Sequence, residues 1–226
     1  MTNYYLDQKE HAKALQTIKP FYTGNKNHFQ TASLYVRTLT YNKQYAEADK
    51  ILNTIHILPF EGERGGRLIY REIKMMLAIQ ALAKGKTKDA GKKVAQASLW
   101  PHRLGVGKPY DDLIDTRLED WMSAMIAIKS KKSAEKELYL KKVAYSIHQA
   151  GDHSTLLQCI ACWQLDEKQK ADNLFAQWSS LQKDTEIQEW GSRFYKNNRD
   201  KEYPFDVNET AQLIGFISGT NDLRLF

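Results

Sequence analysis

The chain has 226 residues, with 33 basic and 27 acidic side chains and a formal net charge of +6. Apolar residues at 42% and aromatics at 11% exclude a disordered chain, and the length is ample for a continuous core. The 12 glycines and 5 prolines are fewer than a sandwich or barrel full of tight turns needs, no stretch reaches the ~20 apolar residues of a bilayer-crossing helix, and Met1 to Asp7 lacks the basic-then-apolar pattern of a signal peptide.

Apolar residues recur at helical spacing along nearly the whole chain, and strict alternation is almost absent. At the front, Ala14, Leu15 and Ile18 before Pro20 read as the second half of a helical hairpin whose first half is missing or frayed. From Phe29 to Tyr41 the stripe is Phe29, Ala32, Tyr35, Val36 and Leu39. The polar break Asn42-Lys43-Gln44 leads into a second stripe, Ala48, Ile51, Leu52 and Ile55. Leu58-Pro59 stops it, because proline lacks an amide hydrogen and disfavours helix in the residue before it.

The hairpin then repeats. Ile73 to Ala83 is followed by Lys84-Gly85-Lys86 and by Ala90, Val94 and Ala97, ending at Trp100-Pro101. Leu118 to Ile128 is followed by Lys129-Ser130-Lys131-Lys132 and by Ala134, Leu138 and Val143. Leu156 to Leu165 is followed by Asp166-Glu167-Lys168 and by Ala171, Phe175 and Trp178. Two more helices are expected near Glu186 to Phe194 and Val207 to Phe216, the last capped by Asp206 or Asn208 and ended by Gly215 or Gly219.

Each second helix carries a marker alanine, at 14, 48, 90, 134 and 171, so the spacings are 34, 42, 44 and 37 residues. Self-similarity at this period indicates a stacked helical array in which each hairpin covers its neighbour's apolar face. The alanine permits closest approach, since helices reach a separation of roughly 8–10 Å only where a small side chain faces the partner. Leu77, Ala78 and Ala81, with Gly85 at the turn and Ala90, Val94 and Ala97 beyond it, match the tetratricopeptide-repeat pattern best. The stretched spacings come from two long linkers, at 59–67 and 101–114, and long ordered loops are where function tends to sit.

Those linkers carry a distinctive series. Leu58-Pro59-Phe60-Glu61-Gly62 is followed by Gly66-Arg67 and Tyr70, then by Trp100-Pro101, Leu104-Gly105-Val106-Gly107-Lys108-Pro109-Tyr110-Asp111 and Arg117-Leu118-Glu119. Over residues 30–180 this resembles the C-terminal tetratricopeptide-like region of large bacterial multidomain proteins that carry an uncharacterised β-rich domain upstream, one that looks carbohydrate-related. The resemblance implies a tail fragment of a longer protein and brings no active site with it.

Several motifs suggest chemistry and have a plainer reading. Leu104 to Pro109 superficially matches a phosphate loop. One residue separates its glycines and proline follows its lysine, whereas a phosphate loop needs four residues between the glycines and Ser or Thr after the lysine; a rigid structural loop fits better. Cys159 and Cys162 have the spacing of a redox or zinc half-site, but they lie in an apolar segment with no second pair and read as buried packing thiols. Two unpaired thiols favour a reducing compartment, so a cytoplasmic location is expected. Asp111, Asp112, Asp115, Glu119 and Asp120 could supply two carboxylates for glycoside hydrolysis; helix capping by Asp115 or Thr116 and dipole-favoured acids in a first turn are the structural reading. The histidines at 11, 28, 56, 102, 148 and 153 form no metal-ligand pattern. The lysine runs at 84–93, 129–142 and 168–170 are interspersed with acids, as on a solvated outer face.

The helix from Ile73 to Ala83 carries Ile73, Met75, Met76, Leu77, Ile79 and Leu82, apolar on nearly every side, and such a helix must be covered on every side. Either the long loops fold over it, with Phe60, Trp100, Leu104 and Tyr110 turned inward, or a ligand does. In the second case Glu61, Arg64, Arg67, Tyr70, Trp100, Arg103, Lys108, Tyr110, Asp111, Arg117 and Trp121 are the binding residues.

The sequence therefore predicts an all-α fold, a right-handed superhelical array of roughly five tetratricopeptide-like hairpins forming one domain over residues 1–226. The function expected is a non-catalytic binding scaffold for a protein partner or for an upstream domain of the same parent protein. No catalytic residue, cofactor or metal is expected. The alternatives are a glycan-binding region or accessory to a carbohydrate-active enzyme, and an RNA-binding helical repeat.

Overall fold

The apolar stripes become helices, and their polar breaks become turns of one recurring geometry. A computed structural model describes residues 1–57, 65–148 and 151–196, and every α-helix or strand assigned among them is a helix. In order these are α1 Thr2–Asp7, α2 His11–Gly24, α3 Phe29–Tyr41, α4 Tyr45–Leu52, α5 Gly65–Ala83, α6 Thr87–Ala97, α7 Arg117–Lys129, α8 Ser133–Ala144, α9 Ser154–Gln164, α10 Lys168–Leu181 and α11 Thr185–Tyr195. Two 3₁₀ turns, His102–Leu104 and Asp111–Leu113, lie between α6 and α7. The helix expected at Val207 to Phe216 lies outside the described residues, as do Phe60, Glu61 and Arg64.

Five turns join α1 to α2, α3 to α4, α5 to α6, α7 to α8 and α9 to α10, and all five are built alike. Just past each first helix one residue adopts the left-handed region: Lys9 (φ 57°), Lys43 (59°), Gly85 (71°), Lys131 (57°) and Asp166 (63°). The amide of the following residue then reaches back to a carbonyl of the preceding helix, Glu10 to Tyr5, Gln44 to Leu39, Lys86 to Ala81, Lys132 to Ala127 and Glu167 to Cys162, at 2.8–2.9 Å. This bond satisfies a carbonyl that the helix end would otherwise orphan.

The turns fix the register of each second helix. In α2, α4, α6 and α10 the marker alanines Ala14, Ala48, Ala90 and Ala171 follow the turn at one common offset, and each is fully buried. In α8 that offset falls on Lys136, while Ala134 is exposed. The fourth hairpin's marker was thus misplaced by the sequence: α8 buries Leu140, Val143 and Ala144 and leaves Leu138 54% exposed.

The chain divides into two compact units, the first of Met1–Leu77 with Leu99–Pro109, the second of Ala78–Ser98 with the chain from Tyr110 onward. In the first, α1 packs on α2, α2 on α3 and α3 on α4. The hairpin half expected to be missing is therefore present as α1. Pro20 does not end α2, which runs on to Gly24. Tyr22, beyond the proline, stacks on Tyr35 at 4.5 Å and 22°, a contact that offsets the amide bond Pro20 cannot make. The core of this unit includes Ala14, Ala32, Val36, Leu39, Ala48, Leu52, Ile73, Met75 and Leu104, each 0–1% exposed.

In the second unit α7 packs on α6, α8 and α9, and α9 packs on α8, α10 and α11. Leu118, Trp121, Met122, Leu156, Leu157, Cys159, Cys162 and Trp178 fill its centre.

Candidate functional site

The apolar helix at the head of the third hairpin is α5, and it starts at Gly65, inside the span expected to be loop. Its Ile73, Met75, Met76, Ile79 and Leu82 are all buried. In the first unit the 99–109 segment lies against the helix start. A Cβ on Gly66 would stand 2.9 Å from the Leu104 carbonyl oxygen and 3.0 Å from Ile57 Cδ1, so only glycine allows Leu104 to seat here. Leu104 is fully buried.

Most of the expected binding residues of this region are taken up by that packing. The Arg67 guanidinium, nearly sealed, lies 4.6 Å over the half-buried Trp100 ring. Tyr70 is buried, and burial raises its phenol above the usual range. Arg103 donates to the Leu52 carbonyl at 3.3 Å and to Asn53 Oδ1 at 3.0 Å, while its own carbonyl accepts the Ile57 amide at 2.8 Å. Those three bonds staple the loop to the end of α4. Lys108 and Tyr110 are exposed, Tyr110 by 81%, so that tyrosine does not fold inward.

Arg117 and Trp121, expected at a groove rim, are 1% exposed. Arg117 is the electrostatic centre of the second unit. Its NH2 group lies 2.7 Å from Asp115 Oδ2 and 2.8 Å from Asp152 Oδ2, and its NH1 donates to Thr155 Oγ1 and Gln158 Oε1, each at 3.3 Å. Gln158 Nε2 in turn donates to the carbonyls of Ala144 and Ser146. One guanidinium thereby ties the start of α7 to α9 and, through Gln158, to the end of α8. Asp115 Oδ1 also accepts the Arg117 amide at 3.0 Å, whereas Thr116, the other capping candidate, stands at the N-cap and makes no side-chain capping bond.

Beside this network, within the second unit, lies an open cleft of about 780 Å³. Val94 and Ala95 of α6 line it, together with Ile114 and Ile126, the acids Asp111, Asp112, Glu119, Asp120 and Glu135, and Tyr139, Lys142, Tyr145, Ile147 and His148. Burial holds the Asp120 carboxyl above its ordinary range, aided by Glu119 and Asp115 and opposed by the Thr116 hydroxyl and Lys142. Ile147 is 89% exposed and Tyr145 51% exposed. Of the expected binding residues that are described, only Asp111 and Arg117 line this cleft. Its α8 side was missed because Tyr139, Lys142 and Tyr145 sit among lysines and read as a solvated face.

Other candidate groups occupy structural positions. Cys159 and Cys162 are fully buried free thiols, and burial pushes Cys159 up to about 12, far from a reactive thiolate. His153 is buried between Trp178 and Trp190, each ring centroid 5.9 Å away, and burial drops it to about 4. Lysines of the basic runs meet neighbouring acids, as in Lys132–Glu135 at 2.8 Å and Lys141–Glu137 at 2.7 Å. Among the described residues no group of three or more His, Cys, Asp or Glu is placed to hold a metal ion, and no helix is long and apolar enough to cross a membrane.

No family model, curated protein or solved structure matches the chain.

Proposed function

We propose that the chain is a non-catalytic binding scaffold whose hairpins belong to a tetratricopeptide-like, right-handed superhelical array, and that it docks a segment of a protein partner or of an upstream domain. What supports this reading is the cleft of the second unit, whose lining mixes Val94, Ala95, Ile114 and Ile126 with charged groups and includes Ile147, 89% exposed, and Tyr145, 51% exposed. A concavity whose lining exposes both apolar and aromatic side chains is suited to taking up side chains of a partner. Rigid helices supply the groove, apolar contact supplies affinity, and the flanking charged groups and tyrosines fix orientation.

The test is a panel of ligands offered to the full chain. Enrichment of peptides from a randomised dodecapeptide display library, with saturable binding of the selected sequences, is the expected result. A saturable tryptophan-fluorescence response to oligosaccharides, with no peptide selected, would replace this reading with glycan binding. Binding of single-stranded RNA that falls steeply with salt would replace it with the nucleic-acid alternative.

A further inference from the structure

We infer that the outer face of α8 docks on the same face of a second copy of this chain, with the two helices antiparallel. The inference goes beyond the scaffold reading and does not rest on it. Ala134, Leu138 and Lys141 of α8 and its C-cap residue Tyr145 recur at i, i+4, i+7 and i+11, so they share one side, and all four are exposed. The helix turns its other side, Leu140, Val143 and Ala144, into the core. One apolar face is enough to hold a surface helix, and α8 has a second. At the position of Leu138, which is 54% exposed, α6 carries Lys92 and α10 carries Asn173, both exposed as on a solvated side. Tyr145 is held ready for contact: its hydroxyl bonds Glu167, and Lys170 Nζ lies 3.7 Å from its ring centre.

The charges beside this stripe are self-complementary. Glu137 and Lys141 lie on one flank, Glu135 and Lys142 on the other, and on both flanks the acid is nearer the helix start. A two-fold axis that sets two helices antiparallel brings each flank against the same flank of the other copy. With that axis near Tyr139, Glu137 of each copy lies opposite Lys141 of the other, and Glu135 opposite Lys142. The same register sets Ala134, the smallest side chain of the stripe, opposite the bulky Tyr145. Leu138 of the two copies meets beside the axis, with the Lys141 stems alongside. A parallel pairing would instead set acid on acid and lysine on lysine. Within one copy Glu137 already meets Lys141 at 2.7 Å, and Glu135 meets Lys132 at 2.8 Å. Every side chain of those pairs is at least half exposed, so each contributes little alone, and an apposed helix shares and partly desolvates them. Glu135, Lys142 and Tyr145 also line the cleft, so the second copy stands at its edge.

The experiment is sedimentation equilibrium of the full chain over a range of concentrations. The expected result is a reversible monomer–dimer equilibrium dissociating at roughly 10–100 µM, as an interface of one helix pair implies. Leu138→Glu should weaken it at least tenfold with the circular dichroism unchanged. The double variants E135K/E137K and K141E/K142E test the register. Each alone sets like charge against like and should stay monomeric, whereas their equimolar mixture should form a heterodimer at least as tight as the parent dimer. Recovery in the mixture also shows that both variants are folded. A parent chain still monomeric at ~1 mM overturns the inference, as does a dimer that Leu138→Glu leaves intact. So does a mixture that fails to associate while both variants keep the parent's circular dichroism.

Discussion

Lys74 Nζ lies 2.5 Å from Asp49 Oδ1, and the two side chains are only 3% and 11% exposed. The ammonium also sits 5.2 Å from the centre of the Tyr70 ring. The pair joins α4 to α5 inside the first unit, where both charges are largely withdrawn from water. Removing either partner, as in Lys74→Ala or Asp49→Ala, should cost about 3–5 kcal/mol because the other charge is left buried. Removing both should cost clearly less than the two single losses added together. Urea unfolding of the four species gives the coupling directly, and additive losses would show that the pair carries no special energy.

Trp178 and Gly191 make a second such fit. The indole is fully buried, and a Cβ on Gly191 would overlap its Cη2 and Cζ3 atoms. Overpacking of this kind costs about 1–3 kcal/mol or more. Gly191→Ala should therefore lower the melting temperature, and Trp178→Leu placed on top of it should cost less than Trp178→Leu costs alone. A Gly191→Ala protein as stable as the parent would mean that α11 does not press on this ring.

Four of the five hairpin turns place a non-glycine residue at positive φ, where a Cβ crowds the following carbonyl. Lys43→Gly and Lys131→Gly should each stabilise by about 0.5–1 kcal/mol, since the strain relieved slightly exceeds the added freedom of the unfolded chain. Gly85→Ala should lose about 1 kcal/mol for the converse reason. Thermal melts of the three variants decide it, and stabilisation by Gly85→Ala would contradict the shared turn geometry.

Glu72 and His153 impose opposite pH dependences. Burial pushes the Glu72 carboxyl from 4.5 up to about 7, partly offset by Arg37. The folded state then holds a proton that the unfolded state has released, so stability falls as pH rises through 4.5 to 7, by on the order of 2–3 kcal/mol. Burial moves His153 from 6.5 down to about 4, so the unfolded state holds the extra proton and stability falls as pH drops from 6.5 to 4. Glu72→Gln should flatten the first slope, and His153→Leu the second, in urea unfolding measured from pH 4 to 8. A slope left intact in either variant would assign it to other groups.

Local pattern sufficed for the helices. The stripe Phe29, Ala32, Tyr35, Val36 and Leu39 became α3, and Leu156 to Leu165 became α9, because 3.6-residue periodicity is a property of neighbours in the chain. The same local information placed Gly85 at a turn and the paired cysteines in a core. It failed where the deciding partner is distant in sequence. Pro20 stays helical because Tyr22 finds Tyr35, α5 starts at Gly65 against Leu104, and Ala134 faces solvent because the turn at Lys131 sets the register of α8. The candidate site was the least legible part. Arg67 and Arg117 looked like groove cations, and only the fold put Trp100 beneath one and Asp115 and Asp152 around the other. A charged residue's role depends on what desolvates and pairs it, and those neighbours are chosen by packing, which the order of residues does not display.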